Sequence, residues 1–180
     1  MVPCLIAVAP VGDVPAELVT ALEPVLREPF GCEVVTVGAL ALPEHAYDAW
    51  RGQHRAAVIL DALARAKLAS WDRLLGVAGV DLYAAGLHFV FGEADARRGV
   101  AVFSLARLRA GLADDAAARA LFERRAATEA IHELGHTYGL SHCRDARCVM
   151  WFSNTLAESD HKGTRFCAAH AVALRRAAGR

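Results

Sequence analysis

The residues with the clearest chemistry lie between His132 and His142, where the sequence is His-Glu-Leu-Gly-His-Thr-Tyr-Gly-Leu-Ser-His. Residues four apart on a helix lie one above the other, so His132 and His136 are expected to point their imidazoles at a common position. Glu133 would lie beside that position without being a ligand. Gly139 can adopt the left-handed conformation that ends a helix, which would bring His142 back as a third ligand. This spacing predicts a metal site.

The predicted ligand set leaves one position of a tetrahedral zinc ion open, which is typical of a catalytic site. The chemistry expected there is hydrolysis by a zinc-activated water. Glu133 would act as the general base, taking a proton from the water and later passing it to the leaving group.

A second group of metal-binding residue types follows directly after the third histidine. It consists of two close pairs with the short internal spacing of structural zinc sites, Cys143 with Cys148 and Cys167 with His170. Together they predict a closed Cys3His site, with His161 as the alternative fourth ligand. Closed coordination indicates a structural role. Because His142 and Cys143 are consecutive, the two metals would share a piece of backbone, and we expect loss of the second zinc to loosen His142.

The motif and the cysteines that follow it resemble the archaemetzincins, a branch of the metzincin clan of zinc peptidases. Met150 stands where the metzincin signature places a methionine beneath the catalytic zinc, in a tight turn. Stretches 89–94 and 151–156 are also similar to that family. The resemblance implies one zinc at the three histidines, with Glu133 as general base, and a second zinc at the later four ligands. The family usually ends its second site with Cys, whereas this chain has His170.

Hydrophobic patterning predicts the elements that position these ligands. Apolar or alternating runs predict strands over 5–9, 33–37, 73–80, 87–91 and 100–105. The last two are joined by a connection too short for a crossover helix and should be antiparallel neighbours. A long helix is expected to begin at Asp114 or Asp115 and to end at Tyr138. The resemblance implies the same α/β (α+β) class: a metzincin-like zincin fold with a twisted, mixed five-stranded sheet, an antiparallel edge strand and a long active-site helix.

Length and charge predict the organisation of the chain. Its 180 residues, with twenty basic and twenty acidic side chains, suit one metallopeptidase domain. Residues 1–139 would form a subdomain with the sheet and the active-site helix, and residues 140–180 a subdomain with the Met150 turn and the second zinc. The balanced charge argues against nucleic acid and membrane partners, and we expect a monomer.

The start of the chain has no recognisable export signal, so a cytoplasmic location is expected. The five cysteines should then be reduced thiols or zinc ligands. Cys4 and Cys32 lie outside any metal-binding spacing and are predicted to be buried, inert thiols.

The expected substrates are peptides or small proteins. Candidates for the wall of the substrate pocket follow the methionine turn: Ser153, Asn154 and Thr155. Some metzincins have a tyrosine where this chain has Phe152, which can neither ligate nor donate, so turnover is expected to be slow. Glu129, one turn before Glu133 and His132, could orient a ligand, but a solvated residue is the favoured prediction. The alternative function is a catalytically weak, zinc-stabilised module that binds peptides or proteins, but the intact Glu133 favours the enzyme.

Overall fold

The computed structural model describes residues 4–179. Within that range the strands are β1 (Leu5–Val11), β2 (Glu33–Thr36), β3 (Tyr47–Asp48), β4 (Gln53–Arg55), β5 (Arg73–Ala78), β6 (Leu82–Tyr83), β7 (Gly92–Asp95) and β8 (Val100–Ser104). The α-helices are α1 (Ala16–Thr20), α2 (Leu22–Phe30), α3 (Ala56–Ala66), α4 (Ala116–Thr137), α5 (Leu156–His161) and α6 (Ala168–Ala177). Short 3-10 helices occur at Glu44–Ala46 and Arg107–Arg109.

The main sheet has the strand order β2-β1-β5-β8-β7. The first four strands are parallel to one another, and β7 is antiparallel to β8. The central strands are buried on both faces, which explains their nearly continuous apolar sequences. The predicted mixed five-stranded sheet with an antiparallel edge strand is confirmed.

Both faces of the sheet are covered because successive side chains of a strand point to opposite sides. One face packs against α2 and α4, and the other packs against α3. The first core contains Ile6, Val8, Phe103, Ile131 and Leu134, and the second contains Ala7, Val102, Ile59 and Leu63. Burial of each large side chain stabilises the fold by about 1.5–3 kcal/mol. These contacts hold α4 rigidly beneath the sheet.

The edge strand lies later in the chain than its hydrophobicity suggests. A strand was expected over 87–91, but β7 is formed by Gly92–Asp95, which was expected to belong to the short connection before the next strand. Its register with β8 runs from Gly92 opposite Phe103 to Asp95 opposite Val100. An edge strand has one neighbour and is not enclosed, so it needs no apolar run. The expected position of this strand was therefore wrong, although its antiparallel pairing was right.

A small second sheet has the strand order β3-β4-β6. From the turn between β3 and β4, the Arg51 guanidinium donates to the carbonyl oxygens of Leu87 and His88, each at 2.9 Å. These bonds fix the segment that leads into β7.

A disulfide joins Cys4 and Cys32, whose Cα atoms are 4.8 Å apart. The prediction that they are inert free thiols is therefore wrong. The reason is the register of the sheet: Leu5 lies opposite Glu33 in the parallel β1–β2 pair, so the residues just before them are also neighbours. Sequence spacing alone does not show this pairing.

Helix α4 begins as expected, because Asp115 is its N-cap and its carboxylate accepts a 2.8 Å hydrogen bond from the backbone of Ala118. The helix ends at Thr137, and Gly139 has a φ of 79°, which allows the chain to turn back. Across residues 4–179, no helix is both long and apolar enough to span a membrane.

Candidate active site

The three histidines of the motif converge at the C-terminal half of α4. The Nε2 atoms of His132 and His136 are 3.1 Å apart. The ring of His142 lies 5.4 Å from the ring of His132 and 4.8 Å from that of His136, centre to centre. One ligand atom from each of the three lies within 4.8 Å of the others. The return of the chain after Gly139 therefore brings the expected third histidine into the group.

Backbone carbonyls orient two of these rings. His132 Nδ1 donates to the Val149 oxygen and His136 Nδ1 to the Leu140 oxygen, both at 2.7 Å. With Nδ1 carrying the proton, each Nε2 presents a lone pair to the common position. A tetrahedral zinc ion holds nitrogen ligands about 3.3 Å apart, so this arrangement fits zinc.

Burial keeps these imidazoles neutral. It lowers the pKa of His132 well below its usual value, and it lowers the pKa of His136 to about 4. Burial also lowers the pKa of the more exposed His142. A neutral imidazole is the form that binds metal, so at neutral pH the ligands need not lose protons first.

Glu133 is buried next to the histidines and directly below the edge strand. A Cβ atom at Gly92 of β7 would lie 2.5 Å from Glu133 Cγ and 2.7 Å from its Oε1. Burial raises the pKa of Glu133 well above its usual value, and the neighbouring Glu129 raises it further. A raised pKa brings the carboxylate closer to the range in which it accepts and releases a proton at neutral pH.

Met150 lies under α4, as the metzincin resemblance implies. It is fully buried, and a Cβ atom at Gly135 would lie only 2.6 Å from its Sδ. The Met150 carbonyl accepts a 2.9 Å hydrogen bond from the backbone of Cys143, which follows His142 directly. The turn therefore packs against both the helix and the loop that carries the third histidine.

The second group of predicted ligands also converges. One ligand atom from each of Cys143, Cys148, Cys167 and His170 lies within 4.8 Å of the others. The Sγ atoms of Cys143 and Cys167 are 3.8 Å apart, which is about the spacing of two thiolates on a tetrahedral zinc. His161, the alternative ligand, lies outside this group, with its ring 6.2 Å from that of Trp151. The geometry favours His170 as the fourth ligand.

The thiols of this group differ in acidity. A hydrogen bond from the backbone of His170 lowers the pKa of Cys167 to about 7, whereas burial raises the pKa of Cys148 to about 11. The ring of His170 presents Nδ1 to Cys167 Sγ at 3.3 Å, and its Nε2 donates to the Ser141 carbonyl at 3.0 Å. This last bond links the second group to the residue before His142.

A cleft of about 470 Å³ lies between β7 and α4 and contains the histidines and Glu133. Its walls include apolar side chains from the segment before β7 and from the turn after Met150, namely Leu87, Phe89, Phe91 and Phe152. Ser153 and Asn154 line it, whereas Thr155 caps α5 by accepting a hydrogen bond from Glu158 N. Phe152 is about half exposed, with its ring 4.8 Å from that of His142.

We compared the sequence with those of known protein families. The sequence profile of Peptidase family M54 matches residues 26–176. The chain belongs to this family. The match spans both groups of histidines and cysteines.

Known relatives support this assignment to the M54 peptidases. An archaemetzincin from Methanocaldococcus jannaschii is 42% identical over 163 residues, which cover 90% of this chain and 88% of that protein. The crystal structure of archaemetzincin from Methanopyrus kandleri has a TM-score of 0.86 and 39% identity, covering 99% of this chain and 97% of that one. A crystal structure of a zinc-dependent peptidase from Methanocorpusculum labreanum has a TM-score of 0.81 and 29% identity, and the match covers 94% of this chain and 99% of that one. The predicted archaemetzincin membership and metallopeptidase class are confirmed, and the binding-module alternative is not favoured.

The M54 site contains a buried ion pair that sequence reasoning missed. Glu129, expected to be solvated, is 2% exposed and accepts a 2.6 Å hydrogen bond from Ser159 Oγ. The Nζ atom of Lys162 lies 3.3 Å from Glu129 Oε1 and is equally buried. The prediction for Glu129 was therefore wrong, because α5 covers this side of α4. One feature of the sequence could have drawn attention to Lys162: it is one of only two lysines among the twenty basic residues.

Proposed function

We propose that this M54 peptidase hydrolyses peptide bonds in the cleft between β7 and α4, with zinc held by His132, His136 and His142 and with Glu133 as general base. The observation that carries the proposal is the convergence of these imidazoles beside a buried carboxylate in one cleft. The zinc-dependent peptidase from Methanocorpusculum labreanum, which shares the fold, supports zinc as the metal.

Zinc at this position would polarise the peptide carbonyl and acidify a water molecule. Glu133 would take the proton from that water as it attacks the carbonyl carbon, and would later give it to the departing amine nitrogen. Its burial under Gly92 fixes the carboxylate for both transfers. Phe152 has no hydroxyl group, so it donates no hydrogen bond to the developing negative charge, and turnover is expected to be slow.

The substrate would bind along β7. Within the described residues β7 is the last strand of its sheet, and Gly92, Glu93 and Ala94 line the cleft. An extended peptide can add to such an edge through backbone hydrogen bonds, while pockets receive its side chains. The aromatic and aliphatic walls favour apolar side chains next to the cleaved bond, and Ser153 and Asn154 would form part of that pocket.

We further propose that a second zinc, held by Cys143, Cys148, Cys167 and His170, is structural and stabilises a C-terminal subdomain of residues 140–180. The closed set of four ligands supports a structural role. The balanced charge of the chain argues against nucleic acid and membrane partners. We propose a monomeric peptidase that acts on peptides or small proteins.

The test is cleavage of a diverse peptide library by zinc-loaded protein, with Glu133→Ala as the variant and the metal content measured on each sample. We expect cleavage by the wild type, none by Glu133→Ala, and unchanged zinc content, since Glu133 is not a ligand. His132→Ala and His136→Ala should instead lose one zinc ion. Cleavage retained by Glu133→Ala would refute the assigned general base, and no cleavage by fully loaded wild type would refute peptidase activity on these peptides.

A further inference from the structure

Lys162 is buried where three parts of the active site meet. Its ammonium lies 3.3 Å from Glu129 Oε1 on α4 and 3.4 Å from the carbonyl oxygen of Trp151. It also lies 3.4 Å from His132 Nδ1, whose proton is already donated to the Val149 carbonyl. Lys162 is 1% exposed and lies at the wall of the cleft, so its ammonium depends on these protein atoms for its hydrogen bonds.

Two backbone carbonyls in this region, those of Val149 and Trp151, flank Met150 in the chain. The Val149 carbonyl holds the His132 ring from one side of the methionine, and the Trp151 carbonyl faces Lys162 from the other. Lys162 directly follows α5, and its side chain contacts Glu129 of α4 and Trp151 of the methionine turn. It therefore joins three segments of chain: α4, the methionine turn and the end of α5.

Taking two charges out of water costs several kcal/mol per ion before their attraction is counted. A pair of this kind contributes little net stability compared with apolar side chains of the same size. Its presence against His132 is therefore better explained by geometry than by stability. Glu129 is also one helical turn before Glu133, and an unpaired carboxylate there would repel the general base.

We propose that Lys162, paired with Glu129, is a positioning residue of the peptidase site: it holds His132 and the turn around Met150 in the arrangement that binds the catalytic zinc. This inference rests on the proposed function for its role in turnover, but its effect on the metal site can be measured without a substrate.

The test compares Lys162→Met and the double variant Glu129→Gln/Lys162→Met with the wild type. The double variant leaves no unpaired buried charge, and Gln can still accept the hydrogen bond from Ser159, so it should fold even if the single variant does not. The measurements are the rate of zinc release from the three-histidine site, the absorption spectrum of cobalt bound there, the unfolding midpoint, and kcat and KM.

Arg125 and Asp160 provide a matched control, since they also join α4 to α5 by an ion pair, with an N–O distance of 2.7 Å. Arg125 is one helical turn before Glu129 and does not contact the histidines. The variant Arg125→Met/Asp160→Asn therefore removes a similar pair away from the metal site.

We expect zinc release to become about 10- to 100-fold faster in the Lys162 variants, with a shifted cobalt spectrum. A fall in kcat of about tenfold or more should accompany this, with KM within about twofold. The control should lower only the unfolding midpoint. Zinc release at the wild-type rate in the Lys162 variants, or equally fast release in the control, would overturn the proposal.

A raised KM with unchanged kcat would also overturn it, because Lys162 would then contact substrate. If the wild type cleaves no peptide, the proposed function fails, yet zinc release and the cobalt spectrum still decide whether Lys162 positions the metal site.

Discussion

Gly92 of the edge strand lies directly over Glu133 of the active-site helix, so close that a Cβ atom on Gly92 would be 2.5 Å from Glu133 Cγ. In the proposed mechanism, this contact would set how near a peptide bound along β7 comes to Glu133. Because the clash involves Cγ, Cδ and Oε1, the carboxylate must move as a whole if Gly92 gains a side chain.

The first prediction is that Gly92→Ala lowers kcat/KM by about tenfold or more while zinc content is unchanged, because the histidines are not touched. Misplacement of a catalytic group by about 1 Å can cost about 100-fold. The measurement is steady-state cleavage of one peptide, with zinc determined on the same sample. Gly38→Ala is the control, since a Cβ atom there meets nothing within 4 Å. Wild-type cleavage by Gly92→Ala would contradict the assigned contact.

The second prediction concerns Gly135. Glycine in the interior of a helix usually costs about 1 kcal/mol relative to alanine, so Gly→Ala normally stabilises. Here the new Cβ atom would lie 2.6 Å from Met150 Sδ, and we expect Gly135→Ala to lower the free energy of unfolding by about 1–3 kcal/mol. Urea denaturation measures this. In a Met150→Ala background the same substitution should cost less, and a stabilised single variant would contradict the packing.

The third prediction is that acid releases the two metals at different pH. At the cysteine site, protons compete with zinc for the sulfur atoms throughout the neutral range, because the pKa of Cys148 is raised to about 11 and that of Cys167 is lowered to about 7. The pKa of His136 is lowered to about 4, so in the folded protein this imidazole stays neutral as the pH falls from 7.5 to 5.5.

Zinc affinity at the cysteine site should therefore fall more than tenfold over that interval, while affinity at the three-histidine site changes little. Competition with a chelator of known pH dependence measures both. A parallel loss at the two sites would contradict the assigned histidine environment.

The fourth prediction uses the ring of His170, which donates to the Ser141 carbonyl beside His142. His170→Cys keeps a zinc ligand but removes this N–H donor. We expect the second zinc to be retained, while zinc leaves the three-histidine site several-fold faster, since one partly exposed hydrogen bond contributes about 0.5–1.5 kcal/mol. His170→Ala is the comparison that also removes the ligand. Identical release rates in wild type and His170→Cys would show that the bond does not couple the sites.

Local patterns in the sequence were sufficient to predict which three histidines converge and most of the scaffold. The spacing of His132, His136 and His142 depends only on the geometry of one helix and one glycine turn, so it could be derived without tertiary information. The parallel strands were predictable because strands buried on both faces are apolar throughout. Asp115 was recognisable as one of two candidate N-cap residues for α4.

The tertiary structure decided everything that depends on segments distant in the chain. Strand β7 is polar, so only its pairing with β8 reveals it, and with it the role of Gly92. The disulfide between Cys4 and Cys32 follows from the register of β1 and β2. Glu129 and Lys162 are 33 residues apart, and packing of α5 against α4 brings them together. Sequence patterns report the burial and geometry of each element, whereas contacts between elements exist only once the chain has folded.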